Sequence, residues 1–73
     1  MTVGNRIKQK RESIPLSQVD LANACGISKQ TLYEYENNIV TNIPSDKIEL
    51  IADKLKTEPA YLMGWEKETT NNE

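Results

Sequence analysis

The sequence contains 73 residues, of which 37% are hydrophobic, so it can enclose one small hydrophobic core and is too short for two domains. Nine Lys and Arg residues against eleven Asp and Glu give a net charge of −2, which argues against a polybasic protein that binds by charge alone. The sequence has no His and one Cys, which excludes an internal disulfide and argues against a metal site and most enzyme classes.

The chain carries neither a membrane segment nor a signal sequence that we can identify. No stretch approaches the roughly 18 apolar residues that span a bilayer, and residues 1–14 are polar and basic. We therefore expect a cytoplasmic protein with no membrane partner, no metal and no cofactor.

Charge is distributed unevenly along the chain. Residues 1–31 carry five basic and two acidic side chains, a balance of +3, whereas residues 32–73 carry four basic and nine acidic side chains, a balance of −5. Two ordinary solvated surfaces would show the same difference, so charge alone does not indicate a function. It does indicate that a phosphate-binding surface would lie in the first part of the chain.

The first predicted helix spans Val3 to Glu12. Its apolar stripe consists of Val3, Ile7 and Ile14, which follow helical spacing. Pro15 should end the helix, because proline lacks a donor N–H and disfavours helical geometry in the residue before it.

Two short helices joined by a tight turn come next. The second predicted helix runs from Gln18 to Cys25 after the N-cap Ser17, and the third runs from Lys29 to Asn37 after Ser28. Gly26 supplies the left-handed residue between them. We expect the inward face of the second helix to consist of Val19, Leu21, Ala22 and Cys25.

Residues 38–44 have no helical period and are predicted to form an ordered loop that Pro44 closes. A fourth helix is predicted from Asp46 to Lys56, with Ser45 as N-cap and two basic residues in its last turn, Lys54 and Lys56. Its apolar stripe consists of Ile48, Ile51, Ala52 and Leu55.

A short fifth helix is predicted between Pro59 and Gly64, with Thr57 as its cap. It carries Tyr61, Leu62 and Met63. Residues 66–73 are wholly polar, so we expect them to be a disordered tail or a linker.

The glycine turn between two short helices is typical of a helix-turn-helix, whose second helix enters the DNA major groove. The segment from Gln18 to Asn37 resembles the DNA-binding segment of the lambda-repressor-like (XRE-type) family, which includes phage repressors and Cro proteins. The positions that match its pattern are Gln18, Leu21, Ala22, Gly26, Ile27, Ser28, Leu32, Tyr35 and Glu36. The resemblance covers residues 3–65 and implies an all-α, compact five-helix DNA-binding domain over residues 1–65.

The outward face of the third helix contains the candidate base-reading residues. With Leu32 and Tyr35 pointing inward, helical spacing leaves four side chains on the opposite side: Lys29, Gln30, Tyr33 and Glu34. Lys can contact guanine, Gln can bind adenine through two hydrogen bonds, and Glu can accept from cytosine. Glu34 could instead exclude wrong bases or remain in solvent. A tyrosine there can contact a thymine methyl group or a phosphate.

The resemblance also implies contacts to the DNA backbone and a structural ion pair. Residues at the starts of the second and third helices and at the end of the third would hold phosphates: Ser17, Gln18, Ser28, Thr31, Asn37 and Asn38. Gln18 could instead simply open its helix. The resemblance pairs Arg11 with Glu36. After Glu36 the chain departs from the pattern, because the loop is slightly long and has no Lys or Arg, which predicts modest backbone affinity.

A domain of this size contacts few base pairs, so we expect a homodimer that binds two half-sites about 34 Å apart. The candidate interface residues are Ile39, Val40, Tyr61 and Trp65. We interpret the protein as a sequence-specific, double-stranded-DNA-binding transcriptional regulator. A phage or prophage repressor is expected, either of Cro size or the N-terminal part of a longer protein with a further C-terminal domain.

The alternative is an antitoxin-like or other protein-interaction module with the same fold, which the acidic second part of the chain favours. An enzyme is not expected, because the sequence offers no His and no Gly-rich phosphate loop, and its two best-placed serines are explained as helix caps. Cys25 is expected to face inward as an inert thiol.

Overall fold

The computed structural model describes residues 2–64, in which all regular structure is helical. Its helices are α1 (Val3–Ser13), α2 (Gln18–Ala24), α3 (Lys29–Glu36), α4 (Ser45–Lys54) and α5 (Pro59–Met63). The predicted all-α fold with five helices is therefore confirmed, and each helix begins and ends within two residues of its predicted bounds. Trp65 and the polar tail over residues 66–73 lie outside the described residues.

The five helices share one apolar core. α1 packs against α3 and α5, α2 packs against α3 and α4, and α4 packs against α5. Each fully buried Leu or Ile contributes about 1.5–3 kcal/mol relative to an exposed one, so this core is the main stabilising term. Its members are Ile7, Leu21, Ala22, Cys25, Leu32, Tyr35, Ile51, Ala52, Leu55 and Leu62.

Side-chain caps begin the first three helices. The hydroxyl oxygens of Thr2, Ser17 and Ser28 accept hydrogen bonds from backbone N–H groups three residues later, at 3.0–3.1 Å. The predictions for Ser17 and Ser28 are confirmed. Each such cap stabilises its helix by about 1 kcal/mol.

The predicted caps Ser45 and Thr57 are wrong. α4 begins one residue earlier than predicted, so Pro44 is its N-cap, and the carbonyl of Pro44 accepts from two backbone N–H groups at 3.0 Å. Glu58 is the N-cap of α5 and makes no side-chain cap bond. The Thr57 N–H instead donates to the Ala52 carbonyl at 2.9 Å and completes the end of α4.

Three further predictions about local placement are corrected by the structure. Val19 is 46% exposed, because it lies two residues before buried Leu21 and so points to the other side of α2. Ile14 is 38% exposed at the C-cap of α1, past the last helical residue. Lys56 lies beyond the end of α4 rather than in its last turn.

A left-handed residue follows the C-cap of α2, α3 and α4. These residues are Gly26 (φ 69°), Asn38 (φ 62°) and Lys56 (φ 59°). In each case the next N–H donates back to a carbonyl five residues earlier, at 2.9–3.0 Å, which is the Schellman arrangement. All three helices therefore end sharply.

Candidate nucleic-acid interface

The turn between α2 and α3 is fixed by the apolar seam that the two helices share. Leu21 of α2 and Cys25 at its C-cap lie in one buried cluster with Leu32 and Tyr35 of α3. Ile27, in the turn, packs against the same cluster. Burial raises the pKa of the Cys25 thiol, although Lys54 and Lys47 oppose the shift. The thiol therefore stays protonated near neutral pH and part of the core.

The face of α3 opposite this seam carries the four predicted base-reading residues. Lys29 and Gln30 are exposed, Tyr33 is 45% exposed, and together they line one surface pocket. Glu34 is half-buried, and its Oε2 accepts a hydrogen bond from Gln30 Nε2 at 3.1 Å. The structure therefore brings the four side chains together on one helix face, with two of them bonded to each other.

A buried ion pair connects α1 to the end of α3. Arg11 Nε donates to Glu36 Oε2 at 2.7 Å, and Arg11 Nη2 donates to Glu36 Oε1 at 3.1 Å. The Glu36 side chain is fully buried and that of Arg11 is 12% exposed. Arg11 Nη1 also donates to the Leu16 carbonyl at 2.8 Å, so the same guanidinium holds the turn that precedes α2.

Gln18 belongs to this network. Its Nε2 donates to Glu36 Oε1 at 2.9 Å, which ties the start of α2 to the end of α3. An amide nitrogen carries two hydrogens, so one N–H of Gln18 remains available to an external acceptor. Sequence reasoning identified Gln18 and Glu36 separately but not the bond between them.

The other predicted phosphate-contacting residues lie at or beside the ends of α2 and α3 and already make hydrogen bonds within the protein. The Ser17 hydroxyl only accepts, so its proton is free, whereas Ser28 Oγ donates to Thr31 Oγ1 at 2.9 Å and leaves the Thr31 proton free. Asn37 Nδ2 donates to the Tyr33 carbonyl at 2.9 Å, and Asn38 Nδ2 lies 3.4 Å from Asn5 Oδ1. Ser17 and Thr31 are therefore the most available hydroxyl donors.

Gly4 is a structural residue that the sequence analysis missed. A Cβ placed there would lie 2.1 Å from the carbonyl oxygen of Tyr35 and 2.9 Å from Asn38 Oδ1. Only glycine lets α1 approach the end of α3 so closely. A glycine within a predicted helix, where it lowers stability unless it has another role, was the available signal.

The candidate dimer residues have different surroundings. Ile39 is 62% exposed and Val40 is 36% exposed in the loop after α3, whereas Tyr61 packs against the core. The guanidinium of Arg6 and the ammonium of Lys10 lie 5.2 and 5.3 Å from the centre of the Tyr61 ring. The fourth candidate, Trp65, is outside residues 2–64. The loop therefore provides the accessible apolar surface.

Two absences apply to the described part of the chain. Within residues 2–64, no helix is long and apolar enough to cross a membrane. The same residues contain no group of three or more potential ligands that could hold a metal ion.

The helix order and the braced turn between α2 and α3 define a lambda-repressor-like helix-turn-helix domain. A family model described as helix-turn-helix, HTH_3, matches residues 7–62. The chain therefore belongs to this XRE-type helix-turn-helix family.

The chain is similar in sequence to known relatives and in fold to solved structures. The chain is 37% identical over 59 residues to an uncharacterized HTH-type transcriptional regulator, y4wC, of Sinorhizobium fredii, a match that covers 81% of this chain and 41% of that protein. It is similar to SinR of Bacillus subtilis in complex with DNA, with a TM-score of 0.80, 31% identity, and coverage of 84% of this chain and 97% of that chain.

The P22 c2 repressor in complex with a synthetic operator gives a TM-score of 0.81 at 20% identity and covers 90% of this chain and 98% of that chain. At this identity the likeness shows the fold alone. The chain spans 41% and 12% of the lengths of two curated relatives.

Proposed function

We propose that this chain is a double-stranded-DNA-binding domain of a transcriptional regulator that recognises a specific operator through the major groove. The observation that carries the proposal is the polar outward face of α3, on which Lys29, Gln30 and Tyr33 are exposed together. Polar side chains on this face have no role in the core. The family membership and the likeness to DNA-bound SinR support the same function.

Each side chain on this face has a chemistry that suits a base edge. Lys29 can donate to guanine O6 and N7, and Gln30 can bond adenine N6 and N7. Glu34, if it contacts a base itself, can accept from cytosine N4. Tyr33 has a half-exposed ring that can contact a thymine methyl group. These contacts would determine the sequence that the protein prefers.

The DNA backbone would be held at the helix ends. Ser17, Gln18 and Thr31 have hydrogens that no described bond uses, and the helix ends also carry Ser28, Asn37 and Asn38. Such contacts set the register of α3 on the duplex without selecting sequence. The buried pair of Arg11 and Glu36 keeps Gln18 in place for this role.

We further propose that the domain binds as a homodimer to half-sites about 34 Å apart. Ile39 and Val40 support this proposal, because they leave an apolar surface beside the end of α3. Within the class we propose a repressor, encoded by a phage or prophage, with the likeness to the P22 c2 repressor as support at the level of fold. The partial coverage of its relatives fits a longer protein with a further C-terminal domain.

The proposal is tested by selecting bound sequences from a random duplex library at near-physiological salt, followed by titrations with two variants. Gln30→Ala should weaken binding to the selected operator by about 1–3 kcal/mol and leave random duplex unchanged, because it removes a base contact. Gln18→Ala should weaken both, because it removes a phosphate contact. Gln9→Ala, at an exposed position on α1, is the matched control and should change neither.

Thermal melts would confirm that each variant is folded at the titration temperature. Equal losses on every sequence for Gln30→Ala and Gln18→Ala would contradict the assigned roles. If the wild-type protein enriches no sequence, the proposal of a sequence-specific regulator is contradicted and the protein-interaction module is favoured. An enriched palindrome would support the dimer.

A further inference from the structure

We propose that Glu34 is a positioning residue for Gln30, so that the two side chains recognise one base pair as a unit. The inference rests on the proposed function and deepens it. Its basis is the hydrogen bond from Gln30 Nε2 to Glu34 Oε2 at 3.1 Å, between residues one turn apart on α3. Glu34 is half-buried, whereas Gln30 is exposed and so the more accessible of the two to a base edge.

The charge on Glu34 decides which end of the Gln30 amide faces it. A carboxylate accepts hydrogen bonds and cannot donate them, whereas a glutamine amide has a donor end and an acceptor end. Only the NH2 group of Gln30 can therefore bond to Glu34. The amide oxygen and the second N–H of Gln30 remain for the DNA.

This orientation distinguishes adenine from guanine. Adenine presents a donor at N6 beside an acceptor at N7, which match the amide oxygen and the remaining N–H of Gln30 while the bond to Glu34 is kept. Guanine presents two acceptors, O6 and N7, so Gln30 would have to turn its NH2 group outward. That rotation breaks the bond to Glu34 and brings the amide oxygen against a carboxylate.

The contact itself is tested without DNA by recording the side-chain amide resonances of Gln30 by NMR in the wild type and in Glu34→Gln. The substitution keeps the shape of the side chain, but its own amide both donates and accepts and so no longer selects one orientation. We expect the Gln30 resonances to move and those of Gln9 and Gln18 to stay. Unchanged Gln30 resonances would overturn the proposal.

The effect on recognition is tested by library selection with the wild type, Glu34→Gln, Gln30→Ala and the double variant. Glu34→Gln should lower the preference for adenine over guanine roughly three- to tenfold, the worth of one hydrogen bond, at the base position where Gln30→Ala removes the preference. In the Gln30→Ala background the same change should have no effect there, because the residue through which it acts is gone.

Two results would contradict this role. If Glu34→Gln changes a different base position, or acts equally with and without Gln30, then Glu34 contacts its own base and does not position Gln30. If the wild type selects no sequence although the Gln30 resonances respond, the contact exists but the DNA-binding function and the recognition role are both wrong. Failure of the inference and failure of the proposed function thus give different results.

Discussion

Single residues that end helices in the left-handed conformation differ in how well they tolerate it. Glycine at position 26 adopts φ 69° without steric cost, and asparagine at position 38 is among the residues that tolerate such values. Lys56 adopts φ 59° with a full side chain. The three helix ends have the same geometry, so Lys56 is the strained member.

Replacing Lys56 with glycine should therefore stabilise the protein. The substitution removes the steric cost of the left-handed conformation, but glycine also has more conformational freedom to lose on folding. The difference predicts a gain of about 0.5–1 kcal/mol in the free energy of unfolding. Urea unfolding followed by circular dichroism measures it. Lys54→Gly, at the last helical position of α4, is the control and should lower stability. A loss of stability in Lys56→Gly would show that its side chain has a role the backbone argument omits.

Gly4→Ala should destabilise the protein, although alanine is the better helix former by about 1 kcal/mol. The added Cβ would lie 2.1 Å from the Tyr35 carbonyl, and backbone atoms on both sides must move apart to admit it. We expect a net loss of about 1–3 kcal/mol, seen as a lower melting temperature. Lys8→Ala, at an exposed position of the same helix, should show no such loss. A raised melting temperature in Gly4→Ala would mean that α1 moves away from α3 without cost.

At the scale of elements, α1 and the helix-turn-helix are held by one guanidinium and one carboxylate. Glu36 accepts from Arg11 at two oxygens and from Gln18, so this residue of α3 is bonded to both α1 and α2. A buried charge without its partner is strongly unfavourable, whereas replacing both partners by apolar residues is often neutral. The pair therefore fixes the arrangement of the elements more than it adds net stability.

Arg11→Met should cost about 3–5 kcal/mol because it leaves the Glu36 carboxylate buried without a counter-charge. The double variant Arg11→Met/Glu36→Leu should recover most of that loss, since both charges are gone. Urea unfolding of the two single variants, the double variant and the wild type gives the coupling energy. Single variants within 1 kcal/mol of wild type, or additive losses, would show that water reaches the pair and solvates the remaining charge.

Local sequence signals predicted the elements well, and contacts between distant parts of the chain account for what they missed. Ser17 and Ser28 were identified as caps because the bond spans three residues. The same rule was wrong for Ser45, because the chain enters α4 through Pro44. The close approach at Gly4 joins residues more than 30 positions apart, which no local pattern reveals.

The sequence predicted which residues share the outward face of α3, but not how they bond to each other. Helical spacing placed Lys29, Gln30, Tyr33 and Glu34 on one face, where the structure also has them. The same spacing allows a bond between residues four apart, but two polar residues at that distance can equally face solvent separately. The bond between Gln30 and Glu34 therefore needed the structure.

At the scale of the whole molecule, the charge is poorly placed for non-specific DNA binding. The net charge is −2, and residues 37–44 contain no Lys or Arg. On the outward face of α3, Lys29 is the one basic side chain. Counterion release scales with the number of phosphates that cations neutralise, so affinity in this protein should depend weakly on salt and strongly on base contacts.

Adding one cation beside the phosphates should change that balance. Asn37→Lys places an ammonium at the exposed C-cap of α3, where it also interacts favourably with the helix end. We expect tighter binding to the selected operator and to random duplex alike, and a slope of log K against log salt steeper by about 0.9. Titrations at salt concentrations from about 50 to about 200 mM measure both the affinity and the slope. Gln9→Lys adds the same charge on α1 and should leave the slope nearly unchanged. A gain confined to the operator would mean that position 37 faces a base, and an equal gain in Gln9→Lys would mean that net charge alone limits binding.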